Sequence, residues 1–321
     1  MKPRTIGLYL IIVHLLLSCG TQRMKKDDAE RSLKVLNSDL INFGDQVSKS
    51  IDLNVWAFLL KHNDAPIPFY KNSNNFISVK NFRFNEMRGI YKWKTESNTF
   101  EKTGVSEHIV IFPFDEQNTS LQFILYDFQS KQVSSGEPFP TKIKIAITED
   151  SNELYSLAYQ AKLSDGMPET INLEMEGTGY EMKGEFLRTR DGDNGKLMVD
   201  YSFRYRMKTL IETHLDCTIG YSRLGYFFNT INIDQKLFDH EITGKIEYAS
   251  IDPTADDYPA SFNSKSKVAM FEKYKGKVGE VILASTENGE LNDSFVRYSD
   301  KSAVRIGDIL PGFDKLMNLK Y

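Results

Sequence analysis

Side chains that could catalyse a reaction or bind a metal are few and scattered in this chain. Five histidines and two cysteines occur among 321 residues, and the most suggestive cluster is His214-Leu215-Asp216-Cys217. On a β-strand, His214 and Asp216 point to one face and Cys217 to the other. Because three ligands on opposite faces converge only at a bulge or turn, the sequence predicts no metal site here and a buried free thiol at Cys217.

Known catalytic and metal-binding motifs are also missing from the sequence. The acidic segment Asp191-Gly192-Asp193-Asn194-Gly195 has the composition of a calcium loop, but Gly195 stands where the third ligand belongs. It is better explained as a hairpin turn. No G-x-S-x-G, H-E-x-x-H, Walker A or G-x-G-x-x-G motif occurs. We therefore expect no catalytic residue, cofactor or metal; a hydrolase with an unrecognised site is the least favoured alternative.

Aromatic residues are the remaining candidates for a binding site, with 21 Phe, 16 Tyr and 2 Trp in the chain. Six fall on the apolar faces of predicted strands: Tyr155, Tyr159, Tyr180, Tyr201, Phe203 and Tyr205. They could line a cavity for a lipid or another amphiphile, in which the tyrosine hydroxyls need partners. A plain core with hydroxyls at its rim is the alternative. Glycan binding by stacked rings is the rival function, weakened by the presence of only Trp56 and Trp93.

The elements that position these aromatics are predicted to be strands, because apolar residues alternate with polar ones beyond residue 70. The alternation is clearest in residues 143–147, 155–161, 171–175 and 199–207. The continuous apolar segments 109–112 and 123–126 instead indicate strands covered on both faces. Hairpin following hairpin predicts a mainly β fold, with a large curved antiparallel sheet or open barrel, or a β-sandwich as the alternative.

Helical spacing precedes the sheet. Apolar residues three and four apart are Leu33, Leu36, Leu40, Phe43, Val47 and Ile51. Residues 53–60 continue this helix or form a second one, and Ala65-Pro66-Ile67-Pro68 ends the helical segment. The predicted organisation is a signal peptide (1–18), a tether (19–30), an N-terminal helical segment (31–64) and an antiparallel β domain (70–321).

The first twenty residues have the composition of an export signal. Lys2 and Arg4 precede an apolar segment that is shorter than the roughly 20 residues of a transmembrane helix. The segment ends in Leu16-Leu17-Ser18-Cys19, which resembles the lipobox of bacterial lipoproteins. The resemblance implies cleavage before Cys19, a diacylglycerol thioether on it and an acyl chain such as palmitate on its new amino group. Two or more chains give stable anchoring; an ordinary secreted protein is the alternative.

The resemblance places the protein in the cell envelope, anchored to the outer membrane through Cys19. Lys26-Asp27-Asp28 resembles the acidic export tags of some surface lipoproteins, but such tags usually lie closer to the cysteine, and a solvated tether entering a helix is the favoured explanation. The periplasmic or external side therefore stays open. A net charge of −4 without a concentrated basic patch is not typical of nucleic-acid binding. The expected partners are the membrane and a lipid or glycan ligand, with no nucleic acid.

A second resemblance concerns the β domain. Gly89-Ile90-Tyr91-Lys92-Trp93, with the segments 100–103, 109–114 and 125–127, resembles a motif of uncharacterised β-rich bacterial lipoproteins. It covers about 40 residues and implies no activity. The sequence thus favours a non-enzymatic lipoprotein that binds a lipid or another amphiphile in a β cavity, with a surface interaction or glycan-binding module as the alternative.

Overall fold

A computed structural model describes residues 23–72, 77–114, 120–133, 136–222, 225–285 and 292–312. The predicted signal peptide, Cys19 and the start of the tether lie outside these residues. Within the described part of the chain, no helix combines the length and the apolar composition needed to cross a membrane.

The helical segment consists of two helices. The described α-helices are α1 (Lys26–Val47), α2 (Ile51–Lys61), α3 (Phe84–Met87), α4 (Tyr258–Lys265) and α5 (Ile306–Ile309), with a 3-10 turn at Tyr248–Ser250. Helix α1 begins five residues before Arg31, the predicted start, and has Asp27 and Asp28 in its first turn, where the helix dipole favours carboxylates. A separate helix starts at Ile51, one of the two alternatives that the sequence left open.

The strands follow the predicted alternation except at Met207, which lies in a turn and is 87% exposed. They are β1 (Phe69–Lys71), β2 (Ile77–Val79), β3 (Gly89–Lys94), β4 (Thr99–Gly104), β5 (Ile109–Phe112), β6 (Leu121–Gln132), β7 (Pro138–Glu149), β8 (Asn152–Ser164), β9 (Met167–Gly177), β10 (Tyr180–Asp191), β11 (Asn194–Tyr205), β12 (Lys208–Ser222), β13 (Gly225–Leu237), β14 (His240–Ile246), β15 (Ser266–Glu272), β16 (Gly276–Ser285), β17 (Asn292–Arg297) and β18 (Ala303–Arg305).

Strands β3 to β18 form one sheet, in which spatial neighbours follow chain order from β5 to β18. At its other edge β3 lies between β4 and β5 and pairs in parallel with β5. Because β4 and β18 have a neighbour on one side only, the sheet is open. Strands β1 and β2 form a separate two-stranded sheet. The prediction of a mainly β fold with a large antiparallel sheet and an N-terminal helix is confirmed.

Cα packing divides the described residues into two compact units. The central unit contains residues 45–190 and 197–210, and the C-terminal unit contains residues 23–44, 191–196 and 211–312. Each unit has a helix and part of the sheet, so each can bury an apolar helix face against strands.

The core of the central unit lies beneath α2. Val55 and Leu59 of this helix are fully buried, as are Phe123 and Leu125 of β6. The alternate residues of β5 and β6 are only half-buried, so the prediction that these strands are covered on both faces is wrong. Their continuous hydrophobicity reflects one buried face and one partly covered face.

The core of the C-terminal unit lies beneath α1. Leu33, Leu36 and Leu40 are fully buried, and the Phe43 ring meets the Phe238 ring edge-on at 6.3 Å between centroids. The predicted three-and-four spacing is therefore the buried stripe of α1 from Leu33 to Phe43, whereas Ile51, predicted on the same stripe, is 46% exposed at the start of α2.

Candidate functional site

An apolar groove of about 270 Å³ lies between α2 and the apolar face of β7, β8 and β9. Its helix wall consists of Leu53, Trp56, Ala57 and Leu60; the strands contribute Ile143, Tyr155, Leu157, Tyr159, Leu173 and Met175; Phe69 and Ile77 complete it. All twelve side chains are aliphatic or aromatic, and the only polar side-chain atoms among them are two tyrosine hydroxyls and one indole nitrogen. A space with such walls favours an apolar group over water.

The strand wall follows directly from register and alternation. Tyr155, Leu157 and Tyr159 are every second residue of β8, so they share one face of the sheet. Tyr159 is paired with Ile143 on one side and Leu173 on the other, which sets three groove residues in a row across three strands. The predicted period of two thus builds one wall of the groove.

The helix wall is held in place by aromatic contacts. The Trp56 ring meets Phe123 edge-on at 5.2 Å and Tyr155 at 6.2 Å between centroids. Two residues further along α2, the Phe58 ring lies edge-on to Trp93 at 5.1 Å between centroids. Ala57 is the smallest of the groove side chains and leaves space where a larger residue would reach the strands.

The two groove tyrosines differ in their surroundings. Tyr155 is fully buried, and burial raises the pKa of its hydroxyl well above the ordinary value, opposed by the nearby Trp56 indole. Tyr159 is half-buried, and burial raises its pKa to about 12. No described residue forms a hydrogen bond with the Tyr159 hydroxyl. This hydroxyl is therefore a neutral group that can hydrogen-bond a ligand at an otherwise apolar surface.

Two of the six predicted ligand-facing aromatics, Tyr180 and Phe203, do not line the groove. Their rings stack at 5.9 Å between centroids, and the Tyr180 hydroxyl donates a hydrogen bond to Asp52 in the first turn of α2. Asp52 is fully buried. The contact fixes the beginning of α2 against β10, so these residues position the helix wall instead of facing a ligand.

Tyr201 and Tyr205 also lie outside the groove lining. Gly184 is the register partner of Leu173 on the next strand. Because Gly184 has no side chain, the Tyr201 ring lies next to it on the same face. The half-buried apolar face therefore continues beyond the groove towards Tyr201. Tyr205 is half-buried, with the Arg206 guanidinium 5.1 Å from its ring centroid. The structure thus brings together Tyr155 and Tyr159 but not the full predicted set.

A buried serine–histidine pair was not predicted from the sequence. Ser32 of α1 and His240 of β14 are each 3% exposed, with 2.7 Å between Ser32 Oγ and His240 Nε2. Ser32 lies on the buried stripe of α1, one turn before Leu36, and this position in the helical spacing was the one sequence signal that it would be buried. A nucleophile and base meet at such a distance, but Ser32 is closed off from solvent. In a catalytic triad a carboxylate accepts a hydrogen bond from the second nitrogen of the histidine, but no described group forms a hydrogen bond with His240 Nδ1. The pair instead joins a helix to a strand.

Protonation of His240 is expected to destabilise the C-terminal unit in acid. Burial, the largest influence, lowers the pKa of His240 below 6.5. The carboxylates of Glu272, Asp239 and Asp39 oppose the shift, and the Lys275 ammonium adds to it. Since the unfolded chain binds this proton near pH 6.5 and the folded chain only at lower pH, stability from neutral His240 is complete above pH 6.5 and is lost as pH falls.

We expect the His240→Gln variant to lose part of the decrease in unfolding free energy between pH 7.5 and pH 5. Urea unfolding followed by far-UV circular dichroism measures this dependence. His214→Gln, at an exposed position of the same unit, is the matched control and should keep the wild-type dependence. Equal slopes for wild type and His240→Gln would contradict the assignment.

The other predicted cluster is spread over two faces of β12. His214 is exposed whereas Cys217 is buried, as the alternation predicts. The segment Asp191–Gly195 forms the turn between β10 and β11, with Gly192 at φ +60°. Across the described residues, no group of three or more His, Cys, Asp or Glu side chains is placed to hold a metal ion.

No family model, curated protein or solved structure matches the chain. The groove and its surroundings therefore carry the functional interpretation.

Proposed function

We propose that this protein is a lipid-anchored protein of the bacterial cell envelope that binds one acyl chain of an amphiphile without catalysing a reaction on it. The observation that carries the proposal is the apolar groove between α2 and strands β7 to β9, with the unpartnered Tyr159 hydroxyl in its wall. An amphiphile supplies both an apolar chain for the groove and a polar group for such a hydroxyl.

The size of the groove indicates how much of a ligand it takes. Its volume of about 270 Å³ is slightly below the roughly 300–1,000 Å³ of pockets that enclose a whole small molecule. One chain end fits this space better than a complete lipid. Because each buried methylene contributes about 0.8 kcal/mol, eight methylenes would favour binding by roughly 6 kcal/mol. This corresponds to a dissociation constant on the order of 10–100 µM.

A titration with 11-(dansylamino)undecanoic acid tests the proposal. The chain starting at Gly20 is suitable, because every element of the described structure lies after residue 22. We expect a saturable rise and blue shift of dansyl emission, with one site per chain and displacement by palmitate. A linear, non-saturable signal, or a saturable one that palmitate leaves unchanged, would overturn the proposal.

The membrane anchor is a separate part of the proposal and depends on Cys19. We expect Cys19→Ala to move the protein from the membrane fraction to the soluble fraction, or to leave it as unprocessed precursor, because diacylglycerol cannot be attached. Ser18→Ala is the matched control, since a small residue before the cysteine preserves the lipobox. Cell fractionation with metabolic labelling by radioactive palmitate measures both variants. A labelled, membrane-bound Cys19→Ala protein would contradict the anchor.

Exposed aromatics in the C-terminal unit favour glycan binding as a second candidate function. Tyr226 and Tyr248 are 36% and 45% exposed, and Phe228 lies between them in a chain of edge-on contacts. Exposed rings of this kind stack on sugars in other proteins. Isothermal titration with cellohexaose and chitohexaose separates the candidates, because a binding heat that disappears in Tyr248→Ala would place a ligand on this patch instead of in the groove.

A further inference from the structure

A basic pocket of about 450 Å³ lies in the C-terminal unit, beside Arg23, three residues before the first residue of α1. The residues that give it its chemistry are Arg23, Lys277, Glu280, Arg297, Ser299 and Lys301. Four cationic side chains and one carboxylate give these walls a net charge of +3. In a chain whose overall charge is −4, this concentration of positive charge stands out.

The pocket is built on the paired strands β16 and β17. Glu280 and Arg297 are register partners, so their side chains lie on the same face. Arg23 forms a bridge with Lys277, and the Met24 N–H donates to the Lys277 carbonyl at 2.9 Å. The Ser299 hydroxyl donates to the Met24 carbonyl, also at 2.9 Å. Arg23 and Met24 are therefore attached to the sheet at the pocket.

Glu280 holds three of the cations together. Its carboxylate pairs with Arg297 at 2.6 Å, Lys277 at 2.9 Å and Arg23 at 3.6 Å. The hydrogen bond from Arg297, followed by that from Lys277, lowers the pKa of Glu280 to about 2. Because this carboxylate is ionised throughout the neutral range, it keeps the cations close together yet neutralises only one of them.

Lys301 supplies a charge that Glu280 does not compensate. No described carboxylate lies within ion-pair distance of its ammonium. The nearest acidic residue in the sequence, Asp300, is bound to Ser302 instead: its carboxylate accepts hydrogen bonds from the Ser302 N–H at 2.9 Å and from the Ser302 hydroxyl at 2.6 Å. An arginine fork and lysine ammonium groups are the donors that recognise phosphate oxygens.

The position of Arg23 indicates where such a phosphate would come from. Three residues, Gly20 to Gln22, separate Arg23 from Cys19, so the chain takes four Cα–Cα steps between them, each spanning at most about 3.6 Å when extended. A lipidated Cys19 would thus hold the pocket within about 15 Å of the membrane surface. We propose that the basic pocket binds the phosphate of an anionic lipid headgroup in that membrane. The assignment of the phosphate to a membrane lipid rests on the proposed anchor at Cys19, whereas the ability of the pocket to bind phosphate does not.

The test is co-sedimentation of the chain starting at Gly20 with vesicles of phosphatidylglycerol and phosphatidylcholine in equal parts, at 0.15 M salt. We expect binding to these vesicles and none to pure phosphatidylcholine. Lys301→Gln should weaken it about fivefold, since one basic residue at such a surface contributes about that factor. Lys267→Gln, an exposed lysine of the same unit, is the charge-matched control and should bind as wild type does.

Three results would overturn the proposal. Equal weakening by both substitutions would show a general charge effect, and unchanged binding in Lys301→Gln would place the contact elsewhere. Protection of the protein against heat by 10 mM inorganic phosphate, without vesicle binding, would assign the pocket to a soluble phosphate instead of a headgroup. Because the vesicle experiment uses a chain without Cys19, it is independent of whether Cys19 is lipidated.

Discussion

Replacing Phe123 with alanine is expected to lower the unfolding free energy of the central unit by about 3–5 kcal/mol. Phe123 is fully buried on β6, and its ring supports Trp56 of the helix that walls the groove. Truncation removes apolar surface from the core and leaves a cavity that the surrounding strands fill only in part. Since domains are typically stable by about 5–15 kcal/mol, this loss would be a large share of the total.

Urea unfolding followed by tryptophan fluorescence measures this effect. Both tryptophans of the chain, Trp56 and Trp93, lie in the central unit, so their emission reports on that unit. Met207→Ala, at a side chain 87% exposed in the same unit, is the control and should change stability by less than about 0.5 kcal/mol. Equal effects of the two substitutions would contradict the described core.

Replacing Ala57 with phenylalanine is expected to weaken acyl-chain binding at least about tenfold, or about 1.4 kcal/mol. Ala57 is the smallest side chain in the groove, and α2 directs it towards the space that the ligand would occupy. A phenyl ring at this position fills part of the 270 Å³ with the protein's own atoms. The strand wall and the Tyr159 hydroxyl remain unchanged.

Asn54→Phe is the matched control for this substitution. Asn54 is exposed on the same helix, so the same ring enters solvent and leaves the groove unchanged. Fluorescence titration with 11-(dansylamino)undecanoic acid should give the wild-type affinity for Asn54→Phe and the weakened affinity for Ala57→Phe. An Ala57→Phe protein that is folded by circular dichroism and binds as tightly as wild type would place the ligand outside the groove.

The strands and their inward faces could be predicted from the sequence, because alternation is a local property. The groove could not, because it depends on where α2 meets strands about 100 residues further along the chain. Tyr180 illustrates this limit: its apolar-face position follows from alternation, but its hydrogen bond spans 128 residues to Asp52. Nothing near Tyr180 in the sequence distinguishes it from Tyr159, which lies in the groove.

Helix α1 shows the same difference between what local spacing predicts and what depends on distant residues. The apolar stripe from Leu33 to Phe43 predicts the buried face of α1, and the structure has it buried. Ser32 lies on the same stripe, yet its partner His240 follows 208 residues later. Likewise, the basic pocket joins Arg23 to β16 and β17, so its charges are dispersed in the sequence and meet only after folding.

The most direct test of acyl-chain binding is native mass spectrometry of the chain starting at Gly20, purified from bacteria without detergent. We expect wild type and Asn54→Phe to carry a co-purifying mass in the range of a fatty acid or lysolipid, released on denaturation, and Ala57→Phe to lack it. A wild-type protein without any added mass, or the same added mass on Ala57→Phe, would contradict the proposal that this groove binds an amphiphile.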